Sequence, residues 1–417
     1  MTRETRIGTG IAALISFTLF SAVSATGADL PSSSPESVGM SSERLERLDA
    51  LTHGWVDEGR IAGVVTLIAR RGRVVHQDAY GMADIEAREP MRTDTYFRLF
   101  SMTKPVTSVA LMTLYEEGKF QLDDELAEYL PEFTDVRVFA GIDGADNMML
   151  EGPVRAPTMT DVLRHTAGFS YGNGPESVQA QYQAADLYGS ESLEELVDKL
   201  ARIPLIYQPG TRWVYSFSHD VQARLVEVLS GMAFEDYVRQ RIFEPLGMDE
   251  VVFGLPARLA DRFANTYSPN ERGRLEASDT PEDTTYDTAV FGGTSLSGHV
   301  MDYARFAQML VNSGELDGVR VLGPRTVDLL ASDHLPDGVT RSAGEGYGLG
   351  VRVVTDSVAA ENLTSAGTFG WSGAAGTHFI VDRKEELIAV FMIQRQGPGA
   401  GGMSAQFETM VYQAIVE

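Results

Sequence analysis

Apolar residues early in the chain recur at helical spacing. Leu45, Leu48, Leu51 and Trp55 form one stripe over residues 41–59, which predicts an amphipathic helix. The pattern then changes. Residues 61–69 are a β-branched apolar run, Arg71-Gly72-Arg73 reads as a turn, and residues 74–80 read as a second strand, giving an antiparallel hairpin. Residues 97–100 lead into a helix expected to begin at Ser101, carry an unbroken apolar run from Val106 to Leu114, and end near Gly118. A short helix is expected over 122–130, stopped by Pro131.

From 121 to 285 strand signals are sparse. Helical periodicity marks residues 160–165, 192–202, 219–229 and 234–243, several with Ser, Thr or Asp at their starts. Residues 301–312 and 324–331 also read as helices, 347–354, 376–382 and 387–393 as strands, and 404–416 as a further amphipathic helix. Hairpin-forming ends around a helical middle predict an α+β fold. Its antiparallel sheet, flanked by terminal helices, draws on residues 36–120 and 286–417, and residues 121–285 are inserted as a mainly helical lobe.

Composition narrows the partners. At 417 residues, with 43% hydrophobic and 22% charged positions, the chain has the make-up of a folded protein. A net charge of −25 argues against nucleic acid and anionic membrane surfaces as partners. The absence of cysteine excludes disulfides, thiolate metal sites and cysteine nucleophiles. Seven histidines fall at no metal-binding spacing, so neither a metal nor a cofactor is expected. Residues 1–25 read as a secretory signal, with Arg3 and Arg6 ahead of an apolar run at 11–20 and small residues Val23-Ser24-Ala25 before a cut after Ala25 or Ala28. That run is shorter than the roughly 20 residues a membrane span needs. The mature protein is therefore expected in the periplasm or outside the cell.

Candidate chemistry starts at Phe100-Ser101-Met102-Thr103-Lys104. Three residues are close to one helical turn, so Ser101 and Lys104 would share a face at the mouth of a buried helix. A serine hydroxyl is a poor nucleophile until a neighbouring base takes its proton, and an amine is one of the few side chains able to do so. Only four of the 34 basic residues are lysines. A second segment, Trp213-Val214-Tyr215-Ser216-Phe217-Ser218, offers a phenol that could join the proton transfer, although a packed loop tyrosine is the plainer reading. A third, Gly370-Trp371-Ser372-Gly373-Ala374-Ala375-Gly376-Thr377, combines small residues with a strand edge that could present N–H groups to an oxyanion; alone it is also an ordinary glycine-rich hairpin.

Two other motifs are set aside. Gly168-Phe169-Ser170-Tyr171-Gly172 matches G-x-S-x-G, but a helical pattern precedes it where a nucleophile elbow needs a strand. Gly397-Pro398-Gly399-Ala400-Gly401-Gly402 matches G-x-G-x-x-G without a following βαβ unit, and reads as a loop.

Together the three segments resemble the penicillin-recognising serine hydrolase superfamily, from about Ser37 onward. Ser101-Met102-Thr103-Lys104 stands as S-x-x-K, Tyr215-Ser216-Phe217 as the tyrosine element, and Trp371-Ser372-Gly373 at the K-T-G position. Leu163-Arg164-His165-Thr166-Ala167-Gly168, Pro209-Gly210, Glu244-Pro245-Leu246-Gly247-Met248 and Gly292-Gly293-Thr294-Ser295-Leu296 look like the class C β-lactamase-related branch, and the Tyr-Ser-x and Trp-x-Gly variants like family VIII carboxylesterases. The resemblance implies acylation at Ser101, general base and acid duty shared by Lys104 and Tyr215, and an oxyanion hole from the N–H groups of Ser101 and Ala374. Which of Lys104 and Tyr215 takes the proton stays open. Trp371, Ser372, Gly373 and Phe217 are the implied substrate-binding residues, and a small-molecule ester is the expected substrate. The lysine and asparagine that serve β-lactams in this superfamily are replaced by Trp371 and Phe217, so esters are expected to be preferred. The rivals are a β-lactamase, D-amino-acid peptidase or acyltransferase of the same fold, and a non-catalytic penicillin-binding-like protein. Oligomeric state is open.

Overall fold

A computed structural model describes residues 29–279, 289–397 and 399–417. The expected signal segment, with both cut sites Ala25 and Ala28, lies outside the described residues. Eight antiparallel strands form the main sheet: β1 (Gly63–Arg70), β2 (Arg73–Asp84), β3 (Glu89–Pro90), β4 (Glu345–Tyr347), β5 (Arg352–Val354), β6 (Phe369–Ser372), β7 (His378–Asp382) and β8 (Leu387–Met392). Their spatial order is β4-β5-β6-β7-β8-β1-β2-β3. The join between the two ends of the chain is β1 against β8, in register from Val65↔Met392 to Arg70↔Leu387.

Both faces of this sheet are covered, which is why β1 reads as a continuous apolar run and all eight of its residues are buried. Val64 and Ile68, with Ile380, Leu387, Ala389 and Phe391, pack beneath α1 (Ser42–Asp57) and the C-terminal helix Ala400–Tyr412. Val65, Leu67 and Ala69, with Phe379, Ile388, Val390 and Met392, face the other way into the main core. That alternation is the two-residue period of a strand. On the main-core side lie α2 (Thr103–Glu116), α3 (Ser218–Ser230) and α4 (Val300–Val311); the C-terminal helix Ala400–Tyr412 is α5. Twelve consecutive residues of α2, Thr103 to Leu114, are buried, so this helix is enclosed on all sides and holds its position rigidly.

Several elements differ from the sequence pattern for local reasons. The expected helix over 122–130 shrinks to a 3-10 turn, Leu126–Glu128. There the Asp124 carboxylate bonds the Gln121 N–H at 2.6 Å and the Tyr129 hydroxyl at 2.5 Å, competing with helical pairing. The single strand expected over 347–354 folds back as β4 and β5. Gly350 permits this with φ of +95°, and a Cβ there would fall 2.0 Å from Ser108 Oγ. Between 121 and 285 the structure adds two short hairpins, Val138–Ile142 with Met148–Glu151 and Thr266–Pro269 with Leu275–Asp279, and a helix, Glu176–Ala185, that periodicity did not mark. The G-x-G-x-x-G stretch is not wholly a loop, because α5 starts at Ala400 within it.

Candidate active site

Ser101 does not begin the α-helix as the sequence suggests. It lies in a 3-10 turn, Phe100–Met102, and α2 starts at Thr103. Phe100, immediately before it, has a left-handed φ of +46°, so no helix runs back through that position. Thr103 Oγ1 bonds back to the Phe100 carbonyl at 2.6 Å and accepts the Leu296 N–H at 3.0 Å, which pins the turn to the adjoining Gly292–Leu296 loop. A 3-10 turn sets residues i and i+3 in line, so Ser101 and Lys104 face one another. Strain of this kind in a bulky residue, one position before a candidate nucleophile, is typical of functional sites.

Lys104 is fully buried. Its Nζ donates to Ser101 Oγ at 3.0 Å and to the Gly293 carbonyl at 2.8 Å. The amine also lies over the Tyr215 ring, 4.6 Å from the centroid, and 5.5 Å from that of Tyr171. Trp371 Nε1 donates to the Tyr215 hydroxyl at 3.3 Å, which joins the third predicted segment to the second. The structure thus brings Ser101, Lys104, Tyr215 and Trp371 together.

The surroundings hold few charges. Burial pushes the His165 and His219 imidazoles well below their ordinary range, and the Lys104 charge adds to this in both. The two rings lie 4.8 Å apart, and His165 is 4.9 Å from the Tyr215 ring. Burial pushes Asp220 up to about 6, with Lys104 and the Gly293 N–H, at 3.0 Å, pulling the other way. Polar atoms without a hydrogen-bond partner among the described residues gather here: His165 Nε2, both His219 ring nitrogens, Tyr171 Oη and Tyr347 Oη. Each such group costs about 1–3 kcal/mol, and a cluster of them marks a region not arranged for stability.

Gly373 fixes the other wall. A Cβ there would fall 2.4 Å from the Leu99 carbonyl and 2.1 Å from Thr377 Oγ1, so the β6–β7 turn is pressed against the segment leading to Ser101. Thr377 Oγ1 donates to that same carbonyl at 3.3 Å. Ala374, next in the chain, is exposed in the turn. Ser372 is exposed at the end of β6.

Phe217 takes a different place from the one implied. It is buried, with its ring 4.6 Å from Tyr171 and 5.0 Å from Tyr188, so it backs the site and does not line an open cleft. An apolar ring this close to other rings gains more by burial than by exposure. Ser170 is buried too, and its Oγ accepts the Gly172 N–H at 2.9 Å as part of a turn. Its neighbour Tyr171, by contrast, reaches the site. Among the described residues one group of metal-ligating types gathers, Asp49, His53 and Asp78 on α1 and β2, where His53 Nε2 lies 2.8 Å from Asp78 Oδ2.

Residues 48–408 match the family model described as Beta-lactamase. The chain belongs to the β-lactamase family. As a β-lactamase-family member it is 34% identical over 354 residues to Protein Rv1367c of Mycobacterium tuberculosis, covering 81% of this chain and 87% of that protein. Esterase EstB of Burkholderia gladioli is 30% identical over 380 residues, covering 85% of this chain and 92% of EstB. Among solved structures, EstCE1, described as a hydrolase with promiscuous acyltransferase activity, superposes with a TM-score of 0.74 at 25% identity, over 90% of this chain and 98% of that one. The antiparallel sheet with helices on both faces is the β-lactamase/transpeptidase-like fold, within the penicillin-recognising serine hydrolases. The esterases among its relatives support serine ester hydrolysis on this scaffold.

Proposed function

We propose that the protein is a carboxylesterase that works through an acyl-enzyme at Ser101. The observation that carries this reading is the 3.0 Å contact between Ser101 Oγ and the fully buried Lys104 amine. In its neutral form that amine can take the hydroxyl proton directly as Oγ attacks the ester carbonyl. Tyr215, lying against Lys104 and bonded to Trp371, is placed to pass the proton to the departing alcohol. The N–H groups of Ser101 and Ala374 would receive the oxyanion, since the β6–β7 turn abuts the segment that carries Ser101. Water then repeats the sequence in reverse and frees the acid. No metal or cofactor enters the scheme.

Esters are the proposed class because the positions that bind lactams elsewhere in the superfamily are apolar here. Trp371 brings an indole N–H where a lysine charge would face a carboxylate, and Phe217 is buried among tyrosines. Losing a charged hydrogen bond to a ligand costs about 1.5–3 kcal/mol, one to two orders of magnitude in rate. Residues 1–25 are proposed as a cleaved export signal, which N-terminal sequencing of the mature protein checks.

Steady-state kinetics on short p-nitrophenyl esters and a chromogenic cephalosporin test the esterase reading. The expected result is a specificity constant at least about tenfold higher for the best ester. A higher constant for the lactam would overturn the esterase assignment and leave Ser101 as nucleophile. A folded protein that turns over neither substrate and takes no fluorophosphonate label would be a silent relative.

A further inference from the structure

On the sheet face away from α2, helix α1 packs along strand β2, and their polar residues meet in a seam. Residues four apart on a helix are separated by about 6.0 Å and residues two apart on a strand by about 6.8 Å, so the two periods nearly match. Asp49, His53 and Asp57 of α1 accordingly meet His76, Asp78 and Tyr80 of β2 in that order. His76 Nε2 lies 3.4 Å from Asp49 Oδ1, and His53 Nε2 lies 2.8 Å from Asp78 Oδ2. The Tyr80 hydroxyl donates to Asp57 Oδ1 at 3.0 Å.

Two of these three pairings are incompletely satisfied. Asp49 Oδ1 is buried and has no hydrogen-bond partner among the described residues. His76 does not supply one, because its Nε2 meets Thr66 Oγ1 of β1 at 2.8 Å instead. Burial pushes the Asp49 carboxyl above the ordinary carboxylate range, and the charges of Asp78 and Glu46 add to this against the pull of His76 and His53. Among the described residues no lysine or arginine pairs with Asp49 or Asp78. Two carboxylates thus converge with no fixed positive charge between them. His53 is held ready beside them: its ring stacks on Tyr80 with centroids 3.9 Å apart and planes 14° from parallel, which aims Nε2 at Asp78.

We propose that Asp49, His53 and Asp78 bind a divalent transition-metal ion of the zinc type, which fastens α1 to β2. One ligand atom from each of the three lies within 4.8 Å of the other two. Two ligands on a tetrahedral zinc are about 3.4 Å apart, so side-chain shifts on the order of 1 Å close the ring. The three side chains are 28–32% exposed, which lets water fill the remaining position. An imidazole nitrogen in the donor set selects against calcium and magnesium, whose ligands are oxygens. The ion takes the place of the hydrogen between His53 Nε2 and Asp78 Oδ2 and supplies the positive charge that Asp49 lacks. Its role is structural, because the seam stands on the opposite face of the sheet from α2 and Lys104. The site does not depend on the carboxylesterase reading. It has no signature along the chain, since a helix and a strand each give part of it.

The test is titration of the folded protein with zinc chloride, read by calorimetry, by metal analysis after dialysis and by thermal unfolding. One zinc per chain is expected. With zinc about 100-fold above its dissociation constant, the unfolding midpoint should rise by about 3–6 °C. The same concentration of calcium or magnesium should move it by no more than about 1 °C. His53→Gln combined with Asp78→Asn should abolish zinc binding and the shift, while circular dichroism and ester turnover stay those of the wild type. If that double variant does not fold, Asp49→Asn decides, with zinc affinity expected to fall about tenfold or more. Wild-type binding weaker than about 1 mM overturns the proposal. So does zinc retained at full affinity by the folded double variant or by Asp49→Asn. An equal shift with calcium overturns the choice of metal class. These readouts stand whether or not the esterase reading survives its own test.

Discussion

Ser101 and Ser372 each face a basic nitrogen at hydrogen-bond distance, and their settings are opposite. Ser101 meets an amine at 3.0 Å, whose other bonded partner is the uncharged Gly293 carbonyl. Ser372 meets an imidazole at 2.8 Å, which is backed by the ionised Glu408 and beyond it by Arg352. By composition the second set, serine, histidine and glutamate, looks more like a familiar hydrolytic triad. Position reverses that impression. Ser101 lies on a strained turn at the head of a buried helix, with the Gly373–Thr377 turn pressed against it. Ser372 is at a strand end, its imidazole held by fixed charges on the far side of the sheet. A nucleophile is marked by where its oxyanion can be received, and an acid–base series without that setting orients a group instead.

The largest effect that bears on this contrast is at the nucleophile. Ser101→Ala should abolish ester turnover by several orders of magnitude, whereas Ser372→Ala should keep most of it. Peptide mapping after fluorophosphonate treatment should find the label on Ser101. A label on Ser372, or on Ser170, would hand the chemistry to that residue and remove the assignment of Lys104.

Next comes the coupling within the first set. Lys104→Ala and Tyr215→Phe should each lower kcat by about two to four orders of magnitude, and the double variant should be little worse than the poorer single one. Losses that multiply would show that one of the two residues only packs. Lys104→Arg should not recover activity, because guanidinium cannot accept the proton.

The smallest effect concerns the second set and is one of stability. Glu408 is held at about 2, below the roughly 4.3 of a glutamate in an unfolded chain. Its stabilisation is therefore fully present above about pH 5 and fades as pH falls toward 2, amounting to about 2–3 kcal/mol at neutrality. In urea unfolding at pH 7, Glu408→Gln should be the weaker protein by that order, and the gap should narrow as the pH is taken to 3. A gap that stays constant with pH would mean that Glu408 contributes by packing alone.

The first set was legible because its chemistry is local. Ser101 and Lys104 are three residues apart, and Tyr215 and Trp371 stand in segments whose order resembles that of the penicillin-recognising serine hydrolases. Even there the helix start was misplaced, since nothing in the residue types announces the left-handed Phe100. The second set was hidden. His378 meets Ser372 only because β6 and β7 pair in one register, and Glu408 meets His378 only because α5 crosses the sheet. Neither spacing has meaning along the chain. Asp220 and His219 were likewise visible only as part of a helical stripe, and their burial beside Lys104 is a matter of how α2 and α3 pack. The outline of the sheet was readable from period and β-branched runs, whereas the hairpins inside 121–285 were too short to register.

The pairing of β1 with β8 also governs how the protein is made. Val65 leaves the ribosome early and waits for Met392. Until then one flank of a strand whose eight residues are all destined for burial lacks its neighbour, and that is the kind of edge that recruits other chains. The turn and helix that carry Ser101 and Lys104 rest on a core that also includes β8, so synthesis must pass Met392 before the catalytic groups have a fixed platform. A message interrupted shortly before Leu387 would yield aggregate and not a feeble enzyme. Completion of the sheet is therefore gated by the synthesis of β8, a demand that no property of the active site itself would reveal.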